Sequence, residues 1–302
     1  MHHVVKSVSL AVALFFLLTC TAGAQNNFDS VQIHTTPLAG TVSMMTGAGG
    51  NMGVCAGDDG AFLVDAEYAP LTQKIVSAVN EMTKKPIKYL FNTHYHGDHV
   101  SGNENFGKAG VTIVAHDNIR QRMSTDQFNP VFNMKTPAYP AAALPAITYT
   151  DEITFHINGE DIHCVHVPNA HTNGDGFVHF MKANVINTGD LFFNGIYPFI
   201  DVNAGGSING MIAAADKILS MANADTKIIP GHGPLSNADG LRKFQKMLVG
   251  IRDNVQKLVK EGKSADEVKA AKPTKEYDAE WGNGFMKPDT FTGIVYSDLS
   301  KK

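Results

Sequence analysis

Cysteine is scarce in this chain of 302 residues: three in all, at positions 20, 55 and 164. So few thiols exclude a fold framed by disulfides and the closed, cysteine-rich sites that hold structural zinc. Charge of one sign is lacking too. Lys and Arg number 25 against 29 Asp and Glu, a net charge of -4, and that mild acidity argues against nucleic-acid binding, which usually needs a basic face. No apolar run reaches the length of a membrane span; the stretch at residues 8–18 falls short. The glycine-rich Gly47-Ala48-Gly49-Gly50 lacks the Gly-Lys-Ser/Thr ending of a nucleotide loop. What remains is an ordinary globular composition, 43% hydrophobic and 18% charged, with length enough to bury a real core.

Residues 1–24 open with His2, His3 and Lys6, continue through the apolar run and end in Ala22-Gly23-Ala24, a small-residue cleavage site. They read as a secretory signal peptide cut before Gln25. The mature chain is then exported, periplasmic or secreted, with no membrane span of its own. Acylation of Cys20 as a lipoprotein is the weaker reading, because Thr19 fits poorly before it. After processing, Cys55 and Cys164 are left, and either a bridge or two buried thiols fits their apolar surroundings.

The densest chemistry lies in Thr93-His94-Tyr95-His96-Gly97-Asp98-His99. It follows Ile87-Lys88-Tyr89-Leu90-Phe91, which reads as a buried strand, and Gly97 predicts that the chain turns there. A loop points His94, His96, Asp98 and His99 toward one locus, which one helix face or strand face does not do easily. Imidazole nitrogen and carboxylate oxygen suit zinc first; iron, manganese and nickel accept the same donors. A solvated polar turn is the alternative, and the density of histidine argues against it.

His94-x-His96-x-Asp98-His99 after an apolar strand resembles the signature of the metallo-β-lactamase superfamily. The resemblance covers nearly the whole mature chain and implies a single domain over residues 25–302. It implies an α/β fold, a four-layer αβ/βα sandwich with its metal site along one edge, where the halves meet. It further implies a third histidine, a bridging carboxylate and a fourth histidine, each at a strand end. These fall at His171 after the strand 161–167, at Asp190 after 184–187, and at His232 after 227–230. Carried over residue by residue, His94, His96 and His171 hold one zinc, Asp98, His99 and His232 the second, and Asp190 bridges them. The expected cofactor is Zn²⁺, two per chain. Aspartate at 190 departs from the zinc β-lactamases that use cysteine there and matches the wider hydrolase families.

Two Zn²⁺ bring four positive charges, of which Asp98 and Asp190 cancel two and a hydroxide a third. The centre stays positive, lowers the pKa of a water from about 15.7 toward 7 and polarises a carbonyl. The implied activity is zinc-dependent hydrolysis of a small carbonyl substrate, an amide, ester or lactone. Hydroxide is the nucleophile and Asp98 the catalytic residue that accepts its hydrogen bond, with Asp65 in support. Many lactamases of the resembling branch place a lysine shortly after the bridging position, yet no Lys or Arg occurs between Lys182 and Lys217. A weak or promiscuous β-lactamase therefore stands beside a lactonase or thioesterase, and beside an iron-dependent redox enzyme on the same fold.

Elsewhere, strands 41–45, 51–55 and 61–65 form a meander, and helices are expected over 70–84, 116–123, 207–221 and 239–260. The tip at 47–50 is either a flap or a plain turn. The proline-rich stretch 124–147 has little periodicity and is either a lid or a surface excursion. His156, His163 and His166 are expected to be structural, His116 a surface or capping residue, and the tail through Trp281 peripheral.

Overall fold

Glycine turns between short apolar runs build the first sheet. The structure, a computed structural model, covers residues 28–301; the expected signal segment at 1–24 and Cys20 lie outside the described residues. β1 (His34–Ala39), β2 (Val42–Thr46), β3 (Met52–Gly57) and β4 (Gly60–Val64) pair antiparallel in succession. β1 was not expected: it carries Pro37, which an edge strand tolerates because its outer side needs no ladder hydrogen bond. α1 (Thr72–Met82) crosses over with Ile75 and Val79 buried, and β5 (Ile87–Phe91) returns parallel to β4. After α2 (Gly97–Val100) and α3 (Asn103–Lys108) come β6 (Thr112–His116), α4 (Asp117–Met123) and a small hairpin of β7 (Gln127–Asn129) and β8 (Met134–Thr136). β9 (Ile147–Tyr149) completes seven strands in the order β1-β2-β3-β4-β5-β6-β9.

The second half repeats the theme. β10 (Glu152–Ile157), β11 (Glu160–His166), β12 (Gly176–Phe180) and β13 (Val185–Asn187) run antiparallel. α5 (Ile208–Met221) starts where the Ser207 hydroxyl accepts from the Gly210 amide, and β14 (Lys227–Ile229) lies parallel to β13. β15 (Ser236–Asn237) closes a six-stranded sheet and leads into α6 (Ala238–Lys260), α7 (Ala265–Ala270), α8 (Asp278–Trp281) and α9 (Pro288–Leu299).

Alternation sorts the buried strands into layers. On β4, Phe62 and Val64 join Phe180, Cys164 and Ile229 between the sheets, whereas Ala61 and Leu63 meet Ile75 and Val79 under α1. On the far side, Phe177 and Ile186 pack against Met211 of α5 and Leu248 of α6. The result is the expected four-layer αβ/βα sandwich. Cys55 and Cys164 are both buried and unbridged. No helix among the described residues is long and apolar enough to cross a membrane.

Two expectations need correction. Segment 124–147, for all its want of periodicity, has structure of its own: it holds the β7–β8 hairpin, closed at its base by Ala138 N to Asp126 Oδ1 and Tyr139 N to Met123 O. Nor is the tail peripheral. Trp281, Met286, Phe291 and Val295 are buried in the same cluster as α5 and α6, and Asp298 Oδ2 accepts from the Ile208 amide at the start of α5.

Candidate metal centre

Strand ends deliver the polar side chains to one edge. β5 ends at Phe91, and the chain runs through His94 and His96 into the single turn of α2, where Asp98 and His99 sit. The expected loop is therefore partly helical. His171 follows β11, Asp190 lies in a 3₁₀ turn after β13, and His232 follows β14. All seven residues come together in two groups, His94, His96, His171 and Asp190 in one and Asp98, His99 and His232 in the other. Asp190 stands between them. Its Oδ2 lies 3.4 Å from His171 Nε2 and 3.7 Å from His94 Nε2, its Oδ1 3.2 Å from His99 Nε2 and 3.4 Å from His232 Nε2.

The outer nitrogens fix the tautomers. His171 Nδ1 lies 2.7 Å from the Phe199 carbonyl, His96 Nε2 3.1 Å from Asp201 Oδ2, and His99 Nδ1 2.8 Å from Asp65 Oδ2. Each acceptor has no proton to give, so each of these nitrogens donates. The Thr93 hydroxyl spends its proton on Asp65 Oδ2 at 2.7 Å, so it accepts from His94 Nδ1 at 3.1 Å. Held this way, His94, His96 and His171 turn lone pairs inward, whereas His99, although burial lowers it, is raised well above the usual imidazole value by Asp190, Asp98 and Asp65. His171 Nε2 and His96 Nδ1 then face each other at 2.8 Å, an arrangement that needs a proton or a cation to hold it. His94 Nε2, His99 Nε2 and Asp190 Oδ1 are buried and make no aligned hydrogen bond, although the last two lie 3.2 Å apart. Buried polar atoms without partners are costly, and here they share one locus. The residues fit a metal.

Burial and charge divide the group. Burial pushes His171 down to about 4 and His94 well below the usual imidazole value. Burial would also lower His232, but Asp190 and Asp98 outweigh it and hold the ring at about 9. Asp98 would be raised by burial, yet His99 and His232 bring it to about 2. Asp190, buried but surrounded by His232, His99 and His94, is held well below the carboxylate range.

Close approach accounts for two glycines. A Cβ on Gly50 would lie 2.1 Å from His99 Cε1, and one on Gly231 would lie 2.0 Å from Asp190 Oδ1. The tip at 47–50 is thus a pinned turn and not a flap. Gly50 N donates to Asp98 O, Gly49 N to Glu67 Oε2, and Asn51 N to Gly231 O. Glu67 and Asp65 both take positive φ, 52° and 65°, backbone strain stored beside the site. Burial raises the Glu67 carboxyl to about 7.

The supporting place expected for Asp65 is where it stands, bonded to Thr93 N, Thr93 Oγ1 and His99 Nδ1. No role was expected of Asp201 from the sequence. It is buried, accepts from Tyr95 OH at 2.7 Å and from His96, and is held at about 2, burial being overcome by those bonds. A signal existed: it is the one carboxylate between Asp190 and Asp216, in an apolar stretch where a charge needs a partner. The remaining histidines lie elsewhere. His156 pairs with Asp161, His163 with Glu152, and His116 accepts from Asn118 N as a cap while stacking on His166 at 3.7 Å.

Residues 45–232 match the metallo-beta-lactamase superfamily. Among solved structures, a metallo-beta-lactamase from Pontibacter korlensis superposes with a TM-score of 0.60 at 18% identity, covering 72% of this chain and 99% of that one. The DIM-1 metallo-beta-lactamase gives 0.59 at 18% over 72% and 98%, and a metallo-beta-lactamase from Hirschia baltica 0.58 at 16% over the same shares. At such identities the likeness is one of fold.

Proposed function

Because the chain belongs to the metallo-beta-lactamase superfamily, we propose that it is an exported zinc hydrolase, binding two zinc ions and acting on a small carbonyl compound. A metal-dependent hydrolase follows from the family together with the His/Asp cluster; zinc, its count and the substrate are the proposed part. One observation carries it. Inward lone pairs of His96 and His171 face each other at 2.8 Å, and Asp190 aims one oxygen at each group.

His94, His96 and His171 would hold one ion, Asp98, His99 and His232 the other, with Asp190 between. When bound, zinc supplies a Lewis acid for the carbonyl oxygen and lowers the pKa of a water toward about 7. The chain's own residues do the positioning. Asp65, Asp201, Thr93 and the Phe199 carbonyl lock the rings, as partners of metal-ligating histidines do. Asp98 is the catalytic group. Its carboxylate, a quarter exposed, would accept a hydrogen bond from a water in the cleft. Held at about 2, it is a poor store for that proton at neutral pH, so it orients the water more than it deprotonates it.

Substrate charge is constrained by the chain on either side of Asp190. Lys182 donates to the Gly159 carbonyl and Lys217 to that of His166, and no Lys or Arg lies between them. That favours neutral esters and lactones over anionic β-lactams, which leaves β-lactamase activity weak. The test is metal analysis of protein purified without added metal, then hydrolysis of a panel of lactones, esters, thioesters and β-lactams. Two zinc per chain and turnover abolished by chelator and restored by zinc are expected. Bound iron, with no hydrolysis restored by zinc, would overturn the proposal.

A further inference from the structure

Large apolar side chains are unevenly exposed. Of the eight exposed ones among the described residues, Phe128, Val131, Phe132 and Met134 share the β7–β8 hairpin, and Phe285 stands alone between α8 and α9. Scattered exposure needs no explanation, but four on one small hairpin form a patch, and patches of this kind mark binding surfaces. Val131 also lines a cleft of about 420 Å³ with Ile200, Val202 and Ile294, so the hairpin tip is not packed down onto α9.

Both exposed rings lead to the metal centre by one step. On the first group's side, Phe132 packs against buried Phe199 at 4.9 Å, and Phe199 lies 5.6 Å from the His96 ring and 5.9 Å from His171. On the other side, buried Phe193 stacks on His232 at 5.2 Å, and Phe285 lies 6.3 Å from both Phe193 and His232. The centre thus has an aromatic pair at each end, the inner ring buried against an imidazole and the outer ring in solvent. Phe285 lies past residue 232, beyond the part of the chain that matches the superfamily.

We propose that Phe132 and Phe285 clasp the substrate from opposite ends of the metal centre, one ring against its apolar acyl group and the other against its leaving group, making the preferred substrate a neutral carbonyl compound with a medium-length hydrophobic chain. This rests on the hydrolase reading above and deepens it. Apolar surface on such a substrate gains by leaving water against two rings that are otherwise wet, and aromatic faces hold it without a charged group.

The experiment compares 4-nitrophenyl acetate with 4-nitrophenyl octanoate on the zinc-loaded full chain, for the unaltered protein, Phe285→Ala, Phe132→Ala, Phe285→Leu and the remote control Met181→Ala. Isothermal titration with octanamide reads binding separately. The octanoate-to-acetate ratio of kcat/KM should exceed one and fall about tenfold in one of the two Ala variants, the one on the acyl side, with most of it kept by Phe285→Leu and all of it by Met181→Ala. Octanamide binding should weaken in parallel. A ratio near one in the unaltered protein, or an unchanged ratio in both Ala variants, would overturn the clasp and leave the hydrolase standing. Octanamide binding lost in one of the Ala variants, with no ester hydrolysed, would keep the clasp and sink the hydrolase. Neither binding nor turnover would remove both.

Discussion

His171 and His232 face the same carboxylate, each 3.4 Å from one oxygen of Asp190, yet their rings differ in the proton they hold. Burial keeps His171 near 4, whereas His232 has a second carboxylate, Asp98, 3.3 Å away and stays near 9. In the first group the outer carboxylate, Asp201, is taken up by Tyr95 and by the far nitrogen of His96, and it does not reach the centre. A cation entering the first group meets ready lone pairs. One entering the second must displace protons that the aspartates have gathered, as metals do wherever ligands are protonated. The two groups are one site in space and two in chemistry.

The comparison breaks most visibly when a ring is removed from each side. His171→Ala takes away the nitrogen that faces His96, leaves Asp190 with one fewer partner, and empties the first group. Hydrolysis should fall by more than the roughly 10–100-fold that loss of a mere supporting residue costs. His232→Ala leaves the three-histidine set intact and should retain one metal equivalent and a residual rate. Metal analysis and ester turnover on both variants decide this. Equal loss of metal in the two would show that the groups fill as a unit.

Gly50→Ala sharpens the comparison without touching a ligand. The new methyl would lie 2.1 Å from His99 Cε1 and 2.3 Å from its Nε2. That ring is fully buried and tied to Asp65, so it cannot retreat cheaply. Overpacking should cost about 1–3 kcal/mol of stability, and zinc affinity at the second group should drop by roughly 10–100-fold. The first group should bind as before in a zinc titration. Weakening confined to the first group would mean that Gly50 does not serve His99.

How much of this was readable beforehand follows from distance along the chain. The His94 to His99 cluster and the strand before it were legible because ligands and scaffold are adjacent, the short apolar run of β5 leading straight into the cluster. His171, Asp190 and His232 were found by resemblance, each at a strand end. Asp201 was not found, because its bond to His96 spans 105 residues and leaves no local pattern. Glu67 was missed for the same reason, its partner being a backbone amide 18 residues back. The β7–β8 hairpin escaped because its strands are short and face solvent, held by Asp126 and Asn129 turns and not by alternating burial. The tail read as peripheral because its apolar residues are split by glycine and proline, and they bury against helices instead of a sheet.

The smallest effect tests the reason given for the first group's empty nitrogens, using a ring outside the centre. His166, like His171, is brought to about 4 chiefly by burial, with stacked His116 and nearby Lys217 adding to it and the bond to the Asp175 carbonyl and the charge of Asp151 opposing. Its folded value lies below the unfolded one near 6.5, so the unfolded chain binds more protons between those limits. Stability from this ring is therefore complete above about pH 6.5 and is lost as the pH falls toward 4. Asp175, raised to about 7 by burial, runs the other way over much of that window, so the total curve hides both. The difference between the parent and His166→Gln isolates the ring. Thermal unfolding of chelator-treated protein at pH 7, 6 and 5 should show the parent losing more stability than the variant on acidification. For a partly exposed ring, screening limits the difference to on the order of 1 kcal/mol. Parallel curves would mean that burial does not strip protons from imidazoles in this fold, and the contrast between His171 and His232 would need another cause.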